Sequence, residues 1–230
     1  MSNSKRRRRF SLGLKIAVTL YVAAVIPLYW KEEGPGHFLW FCDLALLLAV
    51  PALWRESPLL ASMMALGTLP FLAVWNVDFF AMLAGVGFGL TGYMLNPGLS
   101  LQIRVFSLFH VWLVWIWLLM LYRLGYDRRA WAAQSLLALI VMPLSYWASH
   151  YAVYEPIENI NWSLGPLNKP QSALPPMLYL ALATLATPTL IYAPAHLILK
   201  RLFPSPAELR EKELREAELQ DADEERPASP

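Results

Sequence analysis

The feature that most limits what this chain can become is a series of apolar runs, each about 20 residues long and separated by short polar turns, at 10–30, 37–54, 58–77, 101–122, 130–154 and 176–203. A hydrocarbon core about 30 Å thick asks about that many apolar residues of a helix, so the runs read as membrane spans. The expected fold is all-α: a polytopic transmembrane helix bundle of about six spans. A weaker, glycine-rich segment at 79–94 reads either as a re-entrant or interfacial element or as a seventh span. Composition points the same way, since 57% of the 230 residues are hydrophobic and 16% charged, with a mean hydropathy of +0.40. That leaves too little polar surface for a soluble domain of this length. Three segments follow: a basic N-terminus at 1–9, a transmembrane domain at 10–203 and a charged tail at 204–230.

Lys and Arg near span ends are retained on the cytoplasmic side, which places Lys5 to Arg9 inside. Arg123, Arg128, Arg129 and the Lys200-Arg201 end join them there if 79–94 does not cross, and both termini are then cytoplasmic. The first span carries Lys15 early and no small-x-small cleavage site before its polar turn, so it reads as a retained anchor. From Ser205 onward the chain turns to Glu, Arg and Lys, with Glu208/Lys212 and Glu211/Arg215 at i,i+4 spacing, the pattern of a solvated helix able to meet a cytoplasmic partner. Trp30, Trp54, Trp75, Trp131 and Trp162 fall near expected span ends and read as an aromatic belt. Pro143, Pro188 and Pro194 are expected to kink their helices and open a lateral cavity.

Candidate chemistry rests on few residues. Cys42 is the only cysteine, set in the apolar run His37-Phe-Leu-Trp-Phe-Cys-Asp-Leu, and it excludes an intrachain disulfide. The absence of a CxxC motif or a His/Cys cluster gives no reason to expect a metal or cofactor, and nothing points to nucleic acid. With helices rising about 1.5 Å per residue, Cys42 lies about 8 Å and His110 about 13 Å along their spans, in the same half of the bilayer. An imidazole on a neighbouring helix can activate a thiol, and an ionisable group inside a span is a functional candidate by default. The plainer alternative makes Cys42 a small apolar filler and His110 a hydrogen-bonded core histidine. Asn159 and Asn161, at the same end of the bundle, either donate to a tetrahedral oxyanion or simply form turns. Asp43 points about 100° around the helix from Cys42 and can orient a partner such as His110.

The stretch His37 to Ala49, the run Phe106-Ser-Leu-Phe-His-Val-Trp-Leu, and Asn159-Ile-Asn-Trp followed by Lys169-Pro and Pro175-Pro-Met-Leu-Tyr resemble the signature regions of a bacterial integral membrane protein family. That family is similar to the transmembrane acyltransferase of plasmalogen remodelling and, more remotely, to the androgen-induced membrane hydrolases, which use threonine in place of cysteine. The resemblance covers 36–203 and implies a bacterial inner membrane protein acting on lipid esters, with Cys42 as nucleophile and His110 as general base. Two readings from other classes stand beside it. One is a small transporter or channel with Asp43, His110 and the asparagines lining a polar path, although no inverted repeat is visible. The other is a non-enzymatic scaffold that works through its tail.

Overall fold

The computed structural model describes residues 10–150, 159–166 and 169–224. The basic run Lys5 to Arg9, the expected end of the fifth span at 151–154 and the last tail residues, 225–230, lie outside the described residues. Helices follow in the order α1 Leu12–Glu32, α2 Phe41–Arg55, α3 Pro58–Leu83, α4 Leu101–Ser107, α5 Phe109–Leu124, α6 Ala130–His150, α7 Pro176–Ala186, α8 Ala193–Leu202 and α9 Pro206–Glu224. A π-helical segment, Thr187–Tyr192, joins α7 to α8. No strand occurs among the described residues. Among the described residues, five stretches are long and apolar enough to cross a membrane: α1, α3, α4 with α5, α6, and the run that begins at Pro176. By helix length and composition this is a multi-pass membrane protein.

Cross-links between helix ends fix an up-and-down order. At one end, Lys15 at the start of α1 pairs with Glu56 just past the end of α2 (2.7 Å), Ser62 near the start of α3 accepts from the Asp127 amide after α5 (2.8 Å), and Tyr126 meets His196 of α8 (2.7 Å). At the other end, Asn76 of α3 donates to the His110 carbonyl of α5 (2.9 Å) and Ser149 of α6 accepts from Ile160 (2.9 Å). The central helix α3 packs against α2, α5 and α6. It presents Ala61, Ala65 and Leu66 without exposure, and Trp117, Leu113 and Met120 of α5 are buried in the same cluster. Gly67 belongs to this close approach, because a Cβ there would overlap the side chain of Gln134 on α6.

The short helix is α2. Its 15 residues span about 22 Å, less than a bilayer core of about 30 Å. The chain makes up the difference with a 3-10 turn, Pro35–Leu39, at the end of the bundle. Cys42 therefore occupies the second residue of its helix rather than a position about 8 Å along it. This is the main departure from the expected second span.

The segment 79–94 is not a separate crossing helix. Its first part continues α3 to Leu83, and the glycine-rich remainder folds back on Asp78, a fully buried carboxylate. Asp78 Oδ1 accepts from the amides of Phe88 (2.7 Å) and Gly89 (3.2 Å), while Oδ2 accepts from the Thr91 amide (2.6 Å) and hydroxyl (2.8 Å). Four donors on one carboxylate hold an otherwise irregular backbone at the membrane end, where lone backbone polar groups are costly.

At the opposite end Glu56 caps α2 in the left-handed conformation (φ 49°), which costs a non-glycine residue about 1–2 kcal/mol. Its carboxylate offsets that by accepting from Lys15 Nζ (2.7 Å) and from the Phe10 amide (3.2 Å). This accounts for Lys15, the charge that interrupts the first apolar run. Glu56→Ala is expected to lower stability by about 1–2 kcal/mol, between the values for exposed and buried pairs. Glu56→Gly, which relieves the backbone, is expected to cost less, and thermal unfolding of the purified protein in detergent ranks the two.

Beyond α5, the Asp127 carboxyl is held below the usual carboxylate range, first by the Arg129 side chain (Nη2 to Oδ2 2.8 Å). Gly125, at φ 79°, lets Tyr126 donate to the Pro204 carbonyl (2.9 Å), which docks the start of the tail. Arg128 pairs with Glu208 (3.2 Å), so α9 leaves the bundle from a fixed origin. Its Leu214 and Leu219 are exposed.

Candidate functional site

The candidate site gathers where α2 begins, and its anchor is Asn161. This residue adopts a left-handed conformation (φ 52°), which asparagine tolerates better than most side chains. Its Oδ1 accepts from the Phe41 amide (3.0 Å), capping the first turn of α2, and its Nδ2 donates to the Leu39 carbonyl (2.7 Å) and to Ser145 Oγ on α6 (2.9 Å). Both amide hydrogens are thus engaged. Asn159 is a loop builder in the same sense: Nδ2 donates to the Gly165 carbonyl (2.8 Å) and Oδ1 accepts from the Leu164 amide (2.8 Å). The Asn-x-Asn element is therefore tied to the Phe-Cys-Asp element by direct hydrogen bonds, and the two asparagines shape the site through the backbone.

His110 is set by a break in its helix. The run from Leu101 to Leu124 contains neither proline nor glycine, yet α4 ends at Ser107 and α5 starts at Phe109. Side chains that take over ladder carbonyls explain the break. Tyr21 Oη donates to the Phe106 carbonyl (2.5 Å), and His110 Nδ1 lies 2.7 Å from the Ser107 carbonyl. A carbonyl can only accept, so Nδ1 carries the proton and Nε2 of the neutral ring holds a lone pair. The ring stacks on Trp75 of α3 (centroids 4.6 Å apart, 12° between planes) and on Phe109 (4.0 Å).

Polar groups link His110 to Asp43 through residues that the sequence did not single out together. Tyr29 Oη is 3.1 Å from Ser107 Oγ, and its ring meets that of His37 edge-on at 5.0 Å. His37 Nε2 is 3.7 Å from the buried Asp43 carboxylate, so His37 belongs to the site and not only to the interface. Trp75 is buried as well and donates from Nε1 to Tyr93 Oη (3.0 Å), which removes it from the aromatic belt. Tyr93 lies near Ser107, Asp43 and Cys42, all of which bear on its phenol. Burial is the main influence that raises its phenol above the ordinary tyrosine value. A spacing signal existed for Ser107, three residues before His110, but none for Tyr29, Trp75 or Tyr93, which converge from separate segments.

Cys42 is half-buried at the second position of α2. Among the described residues no hydrogen bond joins its sulfur to His110, and Tyr93 and Tyr192 are within electrostatic range of it. Its backbone amide precedes the first helical bond of α2, which runs from the Leu44 amide to the Trp40 carbonyl (2.9 Å). No group of three or more His, Cys, Asp or Glu side chains suited to a metal occurs among the described residues.

Taken together, the fold and this cluster define a helical membrane protein with a buried cluster of polar side chains at one end of its bundle. Comparison with family models, with curated proteins and with solved structures finds no match.

Proposed function

We propose that this chain is an integral membrane enzyme that hydrolyses or transfers an acyl group of a lipid ester, with Cys42 as nucleophile and His110 as general base. The observation that carries the reading is the fixed imidazole, which leaves Nε2 free to take a proton inside the bundle. As the Cys42 sulfur bonds to the ester carbonyl carbon, its proton passes to Nε2. Collapse of the tetrahedral intermediate breaks the carbon–oxygen bond, and His110 returns the proton to the departing alcohol. Water or a lysolipid hydroxyl then takes the acyl group from the thioester. The amide of Cys42, in the first turn of α2, suits the oxyanion better than Asn161, whose hydrogens are already engaged. Asp43 orients His37 beside the pair. The sequence resemblance described above supports the same assignment. In the bacterial inner membrane the basic end of the bundle, with Arg55, Arg128 and Lys200, would face the cytoplasm.

The test uses detergent-solubilised protein and a radiolabelled acyl ester of glycerophospholipid. Wild type is expected to retain label on Cys42 that neutral hydroxylamine releases, and Cys42→Ala and His110→Ala are each expected to lower turnover about 100-fold or more. Equal turnover in Cys42→Ala and wild type overturns the reading. The break at Leu108 and the π-helical segment favour a second reading, a transporter, because discontinuous helices line transport sites. In that case proteoliposomes would show solute or proton flux that survives Cys42→Ala.

A further inference from the structure

One loop, 123–128, holds both the first part of the bundle and the start of the tail. Phe10 is buried, donates its amide to Glu56 (3.2 Å) and lies under the Arg123 guanidinium, 5.3 Å from its ring centroid. A few residues on, a Cβ at Gly125 would overlap the Pro204 carbonyl oxygen, Tyr126 donates to that carbonyl (2.9 Å), and Arg128 holds Glu208 in the first turn of α9 (3.2 Å). Phe10 and the origin of α9 are therefore neighbours at one end of the bundle. Directly before Phe10 in the sequence stands Lys5-Arg-Arg-Arg-Arg9.

The helix α9 carries eight Asp or Glu against three Lys or Arg, a net charge of −5 that equals the +5 of the basic run in size and opposes it in sign. Its charges are not spread evenly. At 3.6 residues per turn, Lys212 and Arg215 share one side with Glu208 and Glu211, and there Glu208 takes Arg128 while Glu211 meets Arg215 (3.8 Å). Across the helix, Leu209, Glu213 and Ala217 follow one another at intervals of four, with Glu216 beside them and Arg210 at the border. Those three are half-buried, whereas Glu208, Glu211, Glu216 and Glu218 are exposed. This less exposed side offers carboxylates to guanidinium groups and apolar atoms to the arginine stems. Reach is sufficient: five extended residues cover about 17 Å, and Glu213 and Glu216 lie about 11 and 15 Å along α9 from Pro206. Exposed ion pairs are individually weak, but tethering both partners to one loop sets an effective concentration of about millimolar.

We propose that the basic run Lys5 to Arg9 docks along the side of α9 that carries Leu209, Glu213 and Ala217, an intramolecular clasp that holds the tail against its own bundle. A cytoplasmic partner of the tail then has to displace the run before it can use this side of the helix. The clasp lies at the opposite end of the bundle from Cys42 and does not depend on the chemistry proposed there.

The experiment measures the distance between spin labels on the full chain carrying Cys42→Ala, Ser4→Cys and Gln220→Cys, in phosphatidylcholine nanodiscs and diluted with unlabelled protein so that only distances within one copy are read. A narrow distribution centred below about 25 Å is expected at low salt, since a docked run lies alongside the helix. In about 1 M NaCl, where the Debye length falls to about 3 Å, the distribution is expected to broaden and its centre to lengthen by about 10 Å or more. Glu213→Lys with Glu216→Lys is expected to have the same effect at low salt, and adding Arg6→Glu, Arg7→Glu, Arg8→Glu and Arg9→Glu to that pair to restore the short distance. Thermal unfolding checks that each variant is folded. A distribution that is equally broad at low and high salt overturns the proposal, as does a short distance indifferent to the Glu213 and Glu216 reversals. Loss of the short distance when phosphatidylglycerol replaces phosphatidylcholine also overturns it, because the run then takes anionic headgroups in place of α9. Cys42 is absent throughout, so none of these outcomes reports on the proposed catalysis.

Discussion

Asp78→Ala is expected to destabilise the protein by about 3 kcal/mol, with the midpoint of thermal unfolding falling by roughly 6–12 °C for a chain of this size. The substitution removes one carboxylate and leaves the amides of Phe88, Gly89 and Thr91 and the Thr91 hydroxyl without their acceptor. Each buried orphan costs about 1–3 kcal/mol, and the loop lies at an end of the bundle where water relieves part of the sum. Asp78→Asn keeps one acceptor oxygen but turns an NH2 group toward donors, and about half the loss is expected. Limited proteolysis should show new cleavage within 84–92 in the alanine variant. Should the midpoint move by less than about 2 °C, the carboxylate does not hold the loop. The effect reaches the site as well, since Tyr93, just past the loop, receives the Trp75 indole N–H, and Trp75 stacks on His110.

Asn161→Ala is expected to cost about 2–4 kcal/mol and to loosen the start of α2. It deletes the acceptor of the Phe41 amide and the donor to Leu39 and Ser145, and it places alanine at φ 52°. Asn161→Gly relieves only the backbone part, so it should recover about 1 kcal/mol and no more. Stability in detergent and the rate of Cys42 alkylation by a membrane-permeant haloacetamide are the measurements. Alkylation should accelerate about fivefold or more in both variants as the first turn frays. An unchanged rate in the glycine variant would show that the three hydrogen bonds do not set the position of Cys42.

Much of the architecture was legible in the sequence because membrane helices obey a local rule: a long apolar run must satisfy its own backbone. The runs at 58–77, 101–122 and 130–154 needed no partner to be recognised. The site was legible only in part. Cys42, Asp43 and His110 stand out as polar or reactive groups in apolar surroundings, and the asparagines as a motif. His37, by contrast, reads from sequence as interfacial, and Trp75 as a belt residue, because each lies near a predicted span end. Burial of either depends on which helix passes beside it, and sequence spacing carries no such information.

By itself the sequence determined an all-helical membrane chain, its approximate span boundaries and the end of the bundle at which the candidate residues collect, since hydropathy over about 20 residues and the positions of Lys and Arg are local quantities. Only the tertiary structure decided the rest. It ended α4 at Ser107 without a proline, because Tyr21 and His110 side chains took the ladder carbonyls. It shortened α2 so that Cys42 opens the helix, because Asn161, more than a hundred residues later, caps that turn. It folded 84–92 back on Asp78 rather than through the membrane, because one buried carboxylate could satisfy four donors at once. In each case the deciding hydrogen bond reaches beyond the regular backbone pattern that hydropathy describes.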